Sequence, residues 1–119
     1  MRTYVRMAPR PYRPAAELEA ALERGDLSLA CALAKDVTEE RSRPIDLEIA
    51  LGFLPLVAAQ NAEAYDDWAM RWLGRWIRET PGATIEQAAE LAGTLADLPA
   101  EPTALAALRD LAGPWCRRR

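Results

Sequence analysis

The stretch WAMRWLGRWIR, residues 68 to 78, holds three of the chain's four tryptophans together with Arg71, Arg75 and Arg78. Indole and guanidinium groups carry much of the binding energy at protein interfaces, because both are large, flat hydrogen-bond donors that stack on one another. On a helical wheel at about 100 degrees per residue, with Tyr65 at zero, Trp68, Trp72 and Trp76 fall near about 300, 340 and 20 degrees. Ala69, Leu73 and Ile77 continue that face to about 120 degrees, while Arg78, Arg71 and Arg75 form a stripe between about 220 and 280 degrees. The apolar face is wide enough to belong mainly to a core, packed against the helices on either side. The seam where Trp68 and Trp72 meet Arg71 and Arg75 is the part that could face a partner, and Trp68 is the tryptophan expected to escape full burial. The candidate partner-binding edge is therefore Trp68, Arg71, Trp72, Arg75 and Arg78.

A second group of candidates lies at the chain ends. MRTYVRMAPRPYRP places Arg2, Arg6, Arg10 and Arg13 among Tyr4 and Tyr12 with no acid, and the last three residues are Arg117, Arg118 and Arg119. Guanidinium groups interleaved with aromatic rings suit either a phosphate backbone with stacked bases or an acidic protein surface. The same arm could instead dock on this protein's own acidic body or stay disordered, as terminal segments commonly do. The net charge of −3 conceals this division, since the ends are basic and all eighteen acids lie between them. Such a body does not attract nucleic acid, so contact with phosphates would fall to the arm and tail.

Catalysis has little to draw on. The chain has no histidine, which removes the commonest general base and zinc ligand. Cys31 and Cys116 have no companions for a metal site, and neither a glycine-rich phosphate loop nor a serine nucleophile elbow occurs. Glu39 and Glu40, like Asp66 and Asp67, are sequence neighbours and point apart on a helix, so they read as solvated surface. Glu63 and Asp67 share a face, but Arg71 one turn on makes an ion-pair ladder the natural arrangement. TIEQAAELAG, residues 84 to 93, is similar to the first helix of a DNA-binding helix-turn-helix. The residues that follow, TLADLPAEP, put Pro99 where a recognition helix needs an apolar residue and Asp97 and Glu101 where phosphate would lie, and the motif is rejected. The expectation is a protein that is not an enzyme and carries no cofactor or metal.

The elements that would position these residues are helices. Alanine and leucine dominate while the β-favouring types are scarce, so an all-α chain without a sheet is predicted. Pro9, Pro11 and Pro14 exclude helix from the second half of the arm, giving an extended segment over 1–14. A first helix is predicted over about 15–24, with Gly25 as its left-handed terminator and Asp26 as the N-cap of a second helix over about 27–37. The junction ALERGDLSLACALA resembles the tight helix pairing of tetratricopeptide-like and other helical-repeat proteins over about one hairpin. No second copy recurs at a fixed period, so no repeat array is expected. The second helix, apolar nearly all round, and a third over about 45–60 are expected to form the centre, with Pro55 kinking the third or splitting it. Further helices are predicted over about 62–79, about 85–97 behind a Thr84–Gln87 capping box, and about 103–112, followed by a basic tail over 114–119. The prediction is one compact bundle domain over 15–113, built from about six short helices as orthogonal or layered hairpins.

The longest uncharged stretch, residues 49 to 62, is too short to span a bilayer and contains Gly52 and Pro55, so no membrane association is expected. No secretory signal precedes Pro9, and two unpaired cysteines fit a reducing compartment, so a cytoplasmic location is expected. Fourteen of the fifteen basic residues are arginine, a bias that suggests a GC-rich, bacterial source. The function expected is a small non-catalytic helical interaction module, an adaptor or a subunit of a larger assembly. The alternative is a nucleic-acid-associated accessory protein using arm and tail. A protein partner is the first expectation, with self-association and nucleic acid as further options.

Overall fold

The computed structural model describes residues 14–113. Among them are seven α-helices: α1 (Pro14–Arg24), α2 (Leu27–Arg41), α3 (Leu47–Leu51), α4 (Phe53–Gln60), α5 (Tyr65–Glu79), α6 (Ile85–Asp97) and α7 (Ala104–Ala112), with one 3-10 turn, Ala62–Ala64, leading into α5. The protein is all-α, and no strand occurs among the described residues.

Local chemistry sets the boundaries. Gly25 ends α1 with φ of +78°, its N–H donating to the Leu22 carbonyl at 3.1 Å while Asp26 N–H donates to Ala21 at 2.9 Å. This is the Schellman pattern, which satisfies carbonyls that a helix end leaves without partners. One residue on, the Asp26 carboxylate accepts from Leu29 N–H at 3.1 Å and starts α2. The Thr84 hydroxyl accepts from Gln87 N–H at 3.1 Å, and the Gln87 side chain accepts from Thr84 N–H at 3.0 Å, completing the capping box of α6.

Several boundaries differ from those expected. Pro14, expected to close the extended arm, opens α1, where its missing N–H costs nothing, and the helix expected from about 62 starts as a 3-10 turn and becomes α5 at Tyr65. The second helix runs on to Arg41, because the charged residues after Val37 end the apolar pattern without ending the helix; Ser42, with φ of 56°, terminates it. The long third helix is divided, but at Gly52 and not at Pro55. A proline removes the hydrogen bond to the carbonyl four residues earlier and crowds that carbonyl, so the influence of Pro55 is felt at Leu51, the last residue of α3. Pro55 itself sits in the first turn of α4, where an N–H has no intrahelical partner to lose. The expected six helices become seven for this reason.

The core has two parts. Leu18, Ala21, Ala30, Leu33, Val37 and Phe53 close the α1–α2 hairpin onto α4. The larger part joins α3, α4, α5, α6 and α7 around Leu51, Leu54, Trp72, Trp76, Leu91 and Leu108. Helix α4 therefore serves both, with Phe53 facing one cluster and Leu54 and Val57 the other. The expectation that the second helix is covered on all sides is corrected: Leu29, Cys31 and Ala32 are exposed, and α2 buries only Ala30, Leu33 and Val37. Alanine-rich sequence hides this, because small side chains on a solvated face resemble a buried run. Gln60 Nε2 donates to the Gly25 carbonyl at 2.8 Å and ties the end of α4 to the α1–α2 turn.

Candidate functional site

Helix α5 buries a narrower face than its sequence suggests. Tyr65, Ala69, Trp72 and Trp76 are buried, Leu73 and Trp68 are half-buried on the two flanks, and Ile77 is 46% exposed. The polar atoms of the three buried aromatic side chains on this face all have partners, while the buried Thr80 hydroxyl at the C-cap has no hydrogen-bond partner among the described residues. Tyr65 donates its hydroxyl proton to the Leu95 carbonyl at 2.5 Å. Trp72 Nε1 donates to the Leu47 carbonyl at 3.0 Å and Trp76 Nε1 to the Ala112 carbonyl at 3.3 Å, so the two indoles hold α3 and the last turn of α7 against α5. Burial, reinforced by the Asp66 charge, pushes the Tyr65 phenol up to about 12.

At the Trp68 flank a cavity of about 350 Å³ opens between α2, the α3–α4 pair and α5. Phe53, Leu54 and Ile45 line it together with Trp68 and Trp72, and Cys31 and Ala34 of α2 form the opposite wall. The Phe53 and Trp68 rings are stacked, with centroids 5.7 Å apart and planes inclined by 26°. Trp68 packs against both parts of the core, so the cavity lies over the junction between them. A second depression of about 600 Å³ shares Ala34 and Ile45 with the first and is lined further by Lys35, Thr38 and Arg43.

Arg71 and Arg75 border the first cavity and differ in how they are held. The Arg71 guanidinium meets the Asp67 carboxylate at 2.6 Å, but both side chains are largely exposed, at 75% and 64%. Exposed pairs one helical turn apart contribute only about 0–1 kcal/mol, so Arg71 can exchange its partner. Arg75 is fixed: Nε donates to Glu79 Oε2 at 2.7 Å and Nη2 to the Ile45 carbonyl. Its side chain is 21% exposed, and its positive charge is held in one place along the groove wall.

Four of the five candidates on this helix therefore meet at one groove, and their roles divide. Trp68, Arg71 and Arg75 are on its rim, whereas Trp72, 4% exposed, is core and forms the floor. Arg78 is exposed but does not line the groove, because it is placed on the far side of the arginine stripe from Trp68. Arg2, Tyr4, Arg6, Arg10, Tyr12, Arg13, Arg117, Arg118 and Arg119 lie outside the described residues. Phe53, Ile45, Cys31, Ala34, Lys35 and Arg43 join the groove without a sequence signal, since they reach it from α2, α4 and the loop before α3. Nothing in their local pattern separates them from ordinary core or surface.

Cys31 carries an exposed thiol whose pKa is raised by partial burial, which lowers its thiolate fraction at neutral pH. A cavity of about 440 Å³ on another face is lined by Glu19, Glu23, Asp46 and Glu48 over Leu22 and Ile49. No three Cys, Asp or Glu groups among the described residues are grouped to hold a metal ion. No helix among the described residues is long and apolar enough to cross a membrane. Compared with known protein families, curated proteins and solved structures, the chain matches none.

Proposed function

We propose that the protein is a helical protein–protein interaction module, an adaptor or assembly subunit, whose docking surface is the groove between α2, α4 and α5. The observation that carries this reading is the convergence of Trp68, Arg71 and Arg75 at the rim of one open apolar groove of about 350 Å³, over the buried Phe53 ring on which Trp68 stacks. Aromatic and arginine side chains anchored by their own scaffold lose little freedom on binding, which is what an interface hot spot requires. Stacking on Phe53 fixes Trp68, and the Ile45 carbonyl fixes Arg75.

Affinity purification from cells of the source organism tests the proposal, with wild type compared against Trp68→Ala/Arg71→Ala and against a chain lacking residues 1–13. Loss of a specific co-purifying protein with the groove variant alone supports the groove. A co-purifying set unchanged by the groove variant and lost on removing the arm transfers the function to the arm. The alternative, phosphate contact by arm and tail, rests on their sequence charge and predicts a gel shift that weakens steeply with salt.

A further inference from the structure

The groove is lined by cations in a negatively charged body, two of them, Arg71 and Arg75, paired with Asp67 and Glu79 just outside it. Of the fifteen lysines and arginines, seven lie in the arm and tail. Four of the other eight, Lys35, Arg43, Arg71 and Arg75, line the two adjoining depressions, whereas Glu39 is the one acid among the described residues lining them, out of eighteen. Random placement of eight cations and eighteen acids on one small surface would give the opposite balance. The floor between these cations is apolar, formed by Ile45, Phe53, Leu54 and Trp72, with the half-buried Trp68 at its rim.

We infer that the occupant of this groove is an acidic segment of another protein, with apolar side chains seated over Phe53, Trp68 and Ile45 and flanking carboxylates on Arg71, Lys35 and Arg43. The inference rests on the groove being the docking surface proposed above and goes further by naming the chemistry of the partner. Three alternatives fit less well. The protein's own arm and tail carry Arg2, Arg6, Arg10, Arg13 and Arg117 to Arg119, the same sign as the rim, and like charges repel them from it. An extended polyanion or an anionic membrane would satisfy the rim but would also face the acidic remainder of the body. A short acidic segment confines its charge to the track. The two open depressions lie side by side, sharing Ala34 and Ile45 in their walls, which suits a length of chain.

Two features prepare the groove for this exchange. Arg75, held by Glu79 and the Ile45 carbonyl, supplies a fixed positive wall without reorganisation. Among the described residues Arg71 is held by the exposed Asp67 alone, so a ligand carboxylate replaces one ion pair with another.

Selection of random 12-residue displayed peptides against the full-length protein tests the inference, because it lets the groove choose its own ligand. The expected result is enrichment of peptides in which Leu or aromatic residues alternate with Asp and Glu. Their affinity should fall at least tenfold on Lys35→Glu/Arg71→Glu, whose residues are exposed, with circular dichroism confirming that the helices are retained. Lys-for-Glu versions of the same peptides should then recover affinity for that variant. Enriched peptides that lack an acidic excess but are lost on Trp68→Ala would overturn the acidic assignment and leave the groove as a docking surface. Binding indifferent to both variants would overturn the two together. Concentration-dependent self-association in gel filtration that Lys35→Glu/Arg71→Glu abolishes would also overturn the inference, since the acidic occupant would then be a second copy.

Discussion

Phe53 and Trp68 stack at 5.7 Å although they belong to different helices, and their contact lies where the hairpin core meets the larger core of α3 to α7. One aromatic pair thus serves packing and, at its exposed edge, the groove. Trp68→Ala removes the stacking and contacts to both clusters. Trp68 is half-buried, so the loss should be about 2 kcal/mol, below the about 3–5 kcal/mol of a fully buried tryptophan, and Trp68→Phe should recover more than half of it. Urea denaturation followed by circular dichroism measures both.

The two groove arginines should separate in stability. Arg71→Ala removes an exposed pair with Asp67 and should change the unfolding free energy by less than about 0.5 kcal/mol. Arg75→Ala removes a bond to the Ile45 carbonyl as well as the Glu79 pair and should cost about 1–2 kcal/mol. Equal effects of the two substitutions in urea titrations would contradict the description of Arg75 as a fixed wall.

Much of the fold was legible in the sequence because its signals are local. Gly25 with Asp26, and Thr84 with Gln87, mark boundaries through backbone conformation and capping, which act within a few residues. The narrow buried face of α5, the solvated face of α2 and the break at Gly52 were not, because coverage depends on which neighbour reaches each flank. The seam of Trp68, Arg71 and Arg75 could be read from one helix, since a wheel relates residues of the same element. The opposite wall, from Cys31 to Ile45, could not, because it is brought there only by folding α1 and α2 onto α4.

Tyr65 gives the fold a dependence on alkaline pH. Its phenol is pushed up to about 12 in the folded protein from 10.0, so the native state holds this proton after the unfolded chain has released it. The stability contributed is complete below pH 10 and is lost as pH rises toward 12. Tyr65→Phe should cost about 1 kcal/mol at neutral pH through the bond to Leu95, and should flatten the decline in melting temperature above pH 10.

Gly25 tests the hairpin that presents α2. With φ of +78°, Gly25→Ala places a Cβ in the left-handed region and should cost about 1–2 kcal/mol, whereas Gly25→Asn should cost less. Thermal unfolding of the two variants makes the comparison.

Cys31 reports on the groove from within. In a Cys116→Ser background, its reaction with a disulfide reagent at pH 7 should be slower than that of free cysteine because burial raises its pKa, and should accelerate as pH rises. An occupant of the groove should slow it further, since Cys31 is on the wall facing Trp68.

Photocrosslinking from the groove shows whether a partner protein docks there. A benzophenone placed on Thr38→Cys, at the end of the charged track, is compared in cell extract with the same group on Ala89→Cys, on the exposed side of α6, in a background of Cys31→Ser and Cys116→Ser. The co-purifying partner should be crosslinked from position 38 and not from position 89, and Arg71→Glu should abolish the product. Crosslinking of that partner from position 89 alone, or from position 38 undiminished by Arg71→Glu, would contradict docking in the groove.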